Sequence, residues 1–211
     1  MKRFDVLTIG LQVIDLMIPG MDGHILDREM TLLDHAELTL GGDALNQAIV
    51  LSQLGARTAL MGAAGVDRLG DVLLQQLSRY PLSVFDRRID VPTAICVVLI
   101  AEAHERHFLF QSGQNLALRY EDLDEAVIRD SAFVSADGIE AHIPAFPCRC
   151  VDTTGAGDTF VGSFLYAKSQ GWDTLASAKF ACAAGSVAVE HVGTNTAIRS
   201  KDQVLARMNG Q

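Results

Sequence analysis

Residues 150–171, CVDTTGAGDTFVGSFLYAKSQG, decide how this chain is read. Cys150 and Val151 end an apolar strand, two threonines follow, and Gly155-Ala156-Gly157 turn the chain into a helix whose apolar face carries Phe160, Phe164, Leu165 and Ala167. Small residues at a strand-to-helix turn let a ligand approach the backbone, and the first N–H groups of a helix have no intrahelical partner. With the positive end of the helix dipole they make an anion hole suited to a phosphate in transfer. Asp158 stands where it can face the same anion. A carboxylate repels bound phosphate, so it makes sense there as the acceptor of a proton from an attacking hydroxyl. Equally, Asp is a favoured helix cap, and spacing alone does not choose between the two roles. No G-x-x-x-x-G-K-[ST] occurs, which excludes a P-loop, and the protein-kinase motif set is excluded as well.

Outward from that turn the sequence alternates strands and helices. FDVLTIG (4–10) is an apolar run closed by Gly10, the pattern of a buried strand, and Asp15 follows in VIDLMIPG. AELTL, ending at Leu40, alternates like a short antiparallel strand. GGDALNQAIVLSQLGA (41–56) carries a helical stripe with Gly55 as its stop, RTALMG (57–62) is a strand, and LGDVLLQQLSR (69–79) is an amphipathic helix with Pro81 beyond it. Between 82 and 111 the period changes to three strand-like runs without helices, which predicts an antiparallel flap inserted on an α/β body. Residues 120–130 resume a helical pattern, SAFVS (131–135) starts another strand, and the last third predicts two helices near 157–169 and 174–190. The expected fold is a single α/β domain over 1–211, a doubly wound, mostly parallel sheet with a small antiparallel β-lid near 12–40 and 82–111.

Composition narrows the function classes. Of 211 residues 49% are hydrophobic and 20% charged, enough for a substantial core, and the net charge is −9. That balance argues against nonspecific nucleic-acid binding, which needs a basic footprint. No apolar run reaches the roughly 18 residues of a membrane span, and the first residues read as a strand rather than a signal peptide. Four cysteines, Cys96, Cys148, Cys150 and Cys182, make no disulfide framework, so a cytoplasmic location is expected. Cys148 and Cys150 invite a metal reading, but no second ligand pair has the spacing to support it.

DTTGAGDTFVGSF (152–164) resembles the C-terminal signature of the ribokinase-like, or PfkB-type, carbohydrate kinases, and GGDALNQAIVLSQLGARTALMGAAGVDRLGD (41–71) resembles their N-terminal signature. The two stand in the family's order. The resemblance implies that Asp158 is the base that deprotonates the acceptor hydroxyl and that the backbone of Gly155, Ala156 and Gly157 forms the anion hole. It implies that Asp15, Gly41, Gly42 and Asn46 hold sugar hydroxyls, where carboxylate and amide offer acceptors and donors to a polyol and paired glycines admit it against the backbone. Thr154, Gly155 and Gly157 fall at nucleotide-contacting positions, and Asp152 and Thr154 match positions that ligate a monovalent cation such as K⁺ in several members. On the same grounds the nucleotide lies over the 174–190 helix, whose Ala178, Ala181, Ala183, Ala184 and Gly185 leave room for a ring or allow close helix packing. Many sugar-specific members carry Lys after the paired glycines, where this chain has Asp43.

The expected activity is ATP- and Mg²⁺-dependent phosphorylation of a hydroxymethyl group on a sugar or sugar-like small molecule, with the lid closing over the acceptor. The rivals are a nucleoside or pyridoxal-like acceptor, or an inactive nucleotide- or sugar-binding protein. The apolar lid positions Ala94, Cys96, Val98 and Ile100 suggest a homodimer through the lid. Finally, too few residues separate Ser135 from Cys148 for a helical crossover between parallel strands, which predicts a missing segment near 134–138.

Overall fold

The computed structural model of the chain describes residues 2–22, 24–101, 106–131 and 145–210. Strands β1 (Val6–Ile9) and β2 (Val13–Met21) come first, followed by β3 (Glu37–Gly41), helix α1 (Asp43–Gln53), β4 (Thr58–Met61) and β5 (Ala63–Gly65). Helix α2 (Arg68–Leu77) leads to β6 (Leu82–Val84), β7 (Arg87–Ile89), β8 (Ile95–Ala101) and β9 (Arg106–Gln111). Helices α3 (Glu125–Arg129), α4 (Ala156–Ser169), α5 (Thr174–Ala188) and α6 (Lys201–Met208) complete the order.

The body is parallel. β1, β4 and β6 form one sheet in the order β1-β4-β6, and β5 and β7 form a second parallel pair. β1, β4 and β5 are buried along nearly their whole length, as runs such as VLTI and TALM suit, whereas β6 is half-buried and β7 mostly exposed. Val6 points into a core with α1, α4, α5 and α6, while its neighbour Leu7 packs with Ala59, Met61 and Val127 of α3. Helices therefore cover both sides of the sheet, which is the doubly wound arrangement expected. Phe4 bridges Ser131 in parallel on the free side of β1. The rest of the strand expected at 131–135, and the discontinuity expected near 134–138, lie outside the described residues.

The lid is a separate four-stranded sheet in the order β3-β2-β8-β9. Its flanking pairs are antiparallel, and its central pair, β2 with β8, is parallel. The expected boundary at 82 is corrected. β6 and β7 pair with β4 and β5 in the body, and the second lid segment begins at β8. A strand-like period shows that a segment pairs, not with which sheet. The face offered for a lid-to-lid dimer is also corrected: Ala94, Cys96 and Val98 are buried with Val13 and Met17 inside this chain, and Ile100 packs against them. A surface already covered has nothing to give a second copy.

Smaller departures follow from local chemistry. Asp124 caps the short α3 by accepting from the N–H groups of Ala126 and Val127, so the helical pattern at 120–130 breaks into a 3₁₀ turn and a short helix. The helix α6 was not expected: only Val204 on it is fully buried, and its start rests on the Ser200 hydroxyl accepting from Gln203 N–H. Among the described residues no helix is long and apolar enough to cross a membrane.

Candidate active site

The site is organised by the crossing of α1 and α4. A Cβ added at Gly162 would lie 3.2 Å from the Gln47 carbonyl oxygen and 3.3 Å from Val50, so glycine lets the two helices meet closely. One turn earlier on each helix stand Asn46 and Asp158. Asn46 Nδ2 donates to Asp158 Oδ2 at 3.1 Å, across 112 residues of sequence. Asn195 Nδ2 in turn donates to Asn46 Oδ1 at 2.9 Å and to the Leu40 carbonyl at 3.1 Å, and the Thr194 hydroxyl donates to the same carbonyl at 3.2 Å. Asp158 is thus held by a chain of amides rooted in the backbone of β3.

Asp158 does not cap its helix. The cap position is Gly155, in the left-handed conformation at φ 70°, with no side-chain cap bond. An added Cβ at Gly155 would sit 2.2 Å from the Thr194 carbonyl oxygen, so both its backbone angle and its surroundings demand glycine. Ala156 N–H turns back onto the Thr153 carbonyl at 3.3 Å, whereas the N–H groups of Gly157 and Asp158 have no partner among the described residues. These are the orphan donors of a helix start. An added Cβ at Gly157 meets nothing within 4 Å, and Ala156 and Gly157 line a cleft beside the turn. Burial raises the Asp158 carboxyl above its ordinary range and the like charge of Asp43 adds to this, while hydrogen bonds from Asn46 and Gln47 hold it down.

Beside the turn lies a cleft of about 430 Å³ lined by Phe146, Cys148, Gly157, Phe160, Cys182 and Gly185, among others. It is apolar and opens at the helix start, which suits a flat ring with a phosphate tail. The small residues of α5 divide their work: Ala181, Ala183 and Ala184 are fully buried in the helix core, whereas Cys182 and Gly185 face the cleft.

The lid side supplies Asp15, from the middle of β2. Its carboxylate lies against Gly41, where an added Cβ would be 2.1 Å from Asp15 Oδ2. Asp15 is 8% exposed, and no side-chain hydrogen bond to it occurs among the described residues. Burial pushes its carboxyl up to about 6. Gly42 begins α1 at φ 94°, with the Leu11 carbonyl 2.5 Å from where a Cβ would be.

The residues assigned to a monovalent cation do not fit one here. Asp152 is 5% exposed, Oδ1 accepts from Thr154 N–H at 2.7 Å, and Oδ2 accepts from Gly193 N–H at 3.1 Å. The Arg106 guanidinium, from the start of β9, forms an ion pair with Oδ1. The carboxylate already has a positive partner, and a second cation on it would be repelled. With the guanidinium on Asp152, the Thr154 hydroxyl is left as the buried oxygen without a partner at this turn, and one oxygen is not a coordination shell. Among the described residues no group of three or more His, Cys, Asp or Glu side chains could hold a metal ion, and the four cysteines are free.

The sequence reading missed Thr194, Asn195 and Arg106, and a second polar group where the lid joins the body. There Gln12 Nε2 donates to Asp86 Oδ1 at 2.6 Å, and Gln114 Nε2 donates to the carbonyls of Gln12 and Ala63, each at 3.1 Å. Burial pushes Asp86 up to about 6 against the pull of the Gln12 bond. The run GTNT (193–196), a glycine followed by three small polar residues after a long helix, was the one local signal available.

A family model described as pfkB family carbohydrate kinase matches residues 4–139 and 129–201. A ribokinase of Bacillus subtilis is 35% identical over 109 residues, which is 50% of this chain and 37% of that protein. A nucleoside kinase of Methanothermobacter thermautotrophicus is 27% identical over 148 residues, 65% of this chain and 44% of the relative. The chain therefore spans less than half the length of either relative. Among solved structures, a ribokinase from Thermotoga maritima superposes with a TM-score of 0.80 at 16% identity, covering 98% of this chain and 99% of that one. A fructokinase with bound ATP from Xylella fastidiosa gives 0.79 at 18% identity, covering 98% of each chain. At such identities the likeness is one of fold.

Proposed function

Because this chain belongs to the pfkB family of carbohydrate kinases, we propose that it transfers the γ-phosphoryl group of ATP to a hydroxymethyl group of a sugar or sugar-like small molecule. The observation that carries the proposal is the Asp158 carboxylate, pinned by Asn46 beside the open N–H groups of Gly157 and Asp158. Asp158 takes the proton of the acceptor hydroxyl as its oxygen bonds to the γ-phosphorus, and the bond to the ADP oxygen breaks. The helix start receives the negative charge that spreads over the transferring group. The backbone of Gly155 and Gly157, with the Thr154 N–H held on Asp152, shapes that anion hole; Ala156 contributes its small side chain rather than its N–H. The nucleotide enters as its magnesium complex, with its ring in the cleft between α4 and α5.

Asp15, Gly41 and Gly42 receive the acceptor's hydroxyls. Asn46 has a positioning role beside its role toward the acceptor: its oxygen accepts from Asn195 and one Nδ2 hydrogen goes to Asp158, which leaves the second for an acceptor hydroxyl. The free cysteines suit a cytoplasmic setting. A nucleoside acceptor is the second reading, favoured by the likeness to an archaeal nucleoside kinase over 65% of this chain. The test is a panel of sugars, nucleosides and pyridoxal-like alcohols given to the intact protein with magnesium–ATP, reading ADP release. One acceptor class should raise ADP release well above the background without acceptor. Nucleotide binding with no acceptor-dependent release across the panel would replace the kinase by a binding protein.

A further inference from the structure

A buried carboxylate needs a counter-charge, and removing the partner of such a pair costs far more than removing an exposed one. Asp152 is that carboxylate. Through Thr154 N–H it fixes the turn that leads into the anion hole, and through Gly193 N–H it fixes the loop whose next two residues, Thr194 and Asn195, hold β3 and Asn46. Whatever neutralises Asp152 therefore supports both halves of the site. The group in contact with it is the guanidinium of Arg106, whose side chain is 14% exposed. The pair lies in a cleft of about 230 Å³ lined also by Gly20 and Ile100 of the lid and by Val151 and Val192 of the body.

We propose that Arg106 takes the place of a monovalent cation at this turn, so that the lid itself delivers the positive charge that orders the anion hole and no K⁺ is required. The guanidinium brings its own donors to the carboxylate and, unlike an ion, its presence is set by the seating of β9 rather than by salt composition. Order at the phosphoryl end is thereby tied to the position of the lid.

The test is thermal unfolding without nucleotide or acceptor, in KCl and in tetramethylammonium chloride at equal ionic strength. The kinase reading does not enter it, so failure here leaves that reading standing. The parent should melt within about 1 °C of the same temperature in both salts. Arg106→Ala removes the charge and opens the space: its Tm should fall in tetramethylammonium and recover by about 3–8 °C in K⁺, as expected of a site binding an ion at millimolar affinity. Arg106→Lys, which keeps a charge there, should stay indifferent to K⁺. A parent stabilised by K⁺, or an Arg106→Ala variant that ignores it, would overturn the proposal. Should Arg106→Ala fold in neither salt, the parent and Arg106→Lys measurements decide alone.

Discussion

Asp158 and Asp15 are both carboxylates lifted by burial, yet they are set in different ways. Asp158 is half-buried and tied through Asn46 and Asn195 to the backbone of β3. Asp15 is more deeply buried, rests on a glycine, and has no side-chain hydrogen bond among the described residues. On the proposed reading the phosphoryl end is thus assembled in advance, as transition-state stabilisation demands. On the same reading the acceptor end offers the hydroxyls of the substrate a carboxylate that no protein donor occupies among the described residues. Stability lost at Asp15 is the cost of affinity for a polyol.

The largest expected effect comes from Asp158→Asn, which keeps shape and the bond to Asn46 but removes the proton acceptor. Turnover should fall by about 10²–10⁴ with nucleotide affinity nearly unchanged, measured by steady-state kinetics and by titration with an ATP analogue. Because the parent's Asp158 must be ionised to act, kcat should drop on the acid side at a pH above the ordinary carboxylate range. A change of only a few-fold would return Asp158 to a structural role.

Gly155→Ala comes next. It combines a left-handed φ of 70° with a backbone oxygen 2.2 Å from the new Cβ, so the 193–196 loop must move. Urea unfolding should show a loss of about 2–4 kcal/mol.

Asp15→Asn should work the other way. A carboxyl with an ordinary value of 3.8 raised to about 6 is protonated more readily folded than unfolded. Its stabilising share is complete below pH 3.8 and is lost as pH rises through 6, by about 2–3 kcal/mol. The amide cannot ionise, so Asp15→Asn should be more stable than the parent by that amount at pH 8 and equal to it near pH 4, while binding acceptor more weakly. A variant less stable than the parent at pH 8 would show that Asp15 has partners that outweigh its burial.

The smallest effect sharpens the contrast between two glycines two residues apart. Gly157→Ala places a methyl group in open space on the first turn of α4, so folding should be unchanged or improved by about 0.5–1 kcal/mol. The same methyl would stand at the cleft that Gly157 lines, so turnover should suffer although stability does not. Equal activity would mean that phosphate does not approach that face.

What was readable in the sequence was local. The glycine turn, the stripe of α1 and the run of β1 each carry their own signal within a dozen residues, and the first draws attention to Asp158, whereas Asn46 and the paired glycines came through the resemblance. The pairing of β6 and β7 was not readable, because Leu82–Val84 and Arg87–Ile89 are short and find partners more than twenty residues away. Arg106 and Asn195 escaped for the same reason: nothing near either residue announces a partner at Asp152 or Asn46. Helix α6 is short and mostly polar, and its apolar signal is limited to Val204, Leu205 and Met208, which pack on the core. Asp15 was found through the resemblance, but its burial without a partner is a property of the folded lid alone.

The most direct test of the central claim is a ³¹P NMR time course of the parent and Asp158→Asn with magnesium–ATP and the acceptor chosen by the panel. The parent should convert the γ-phosphate signal into a phosphate ester with stoichiometric ADP, and Asp158→Asn should leave the spectrum almost unchanged over the same hours. Inorganic phosphate in place of the ester, or ester formation at equal rates in both proteins, would contradict the claim.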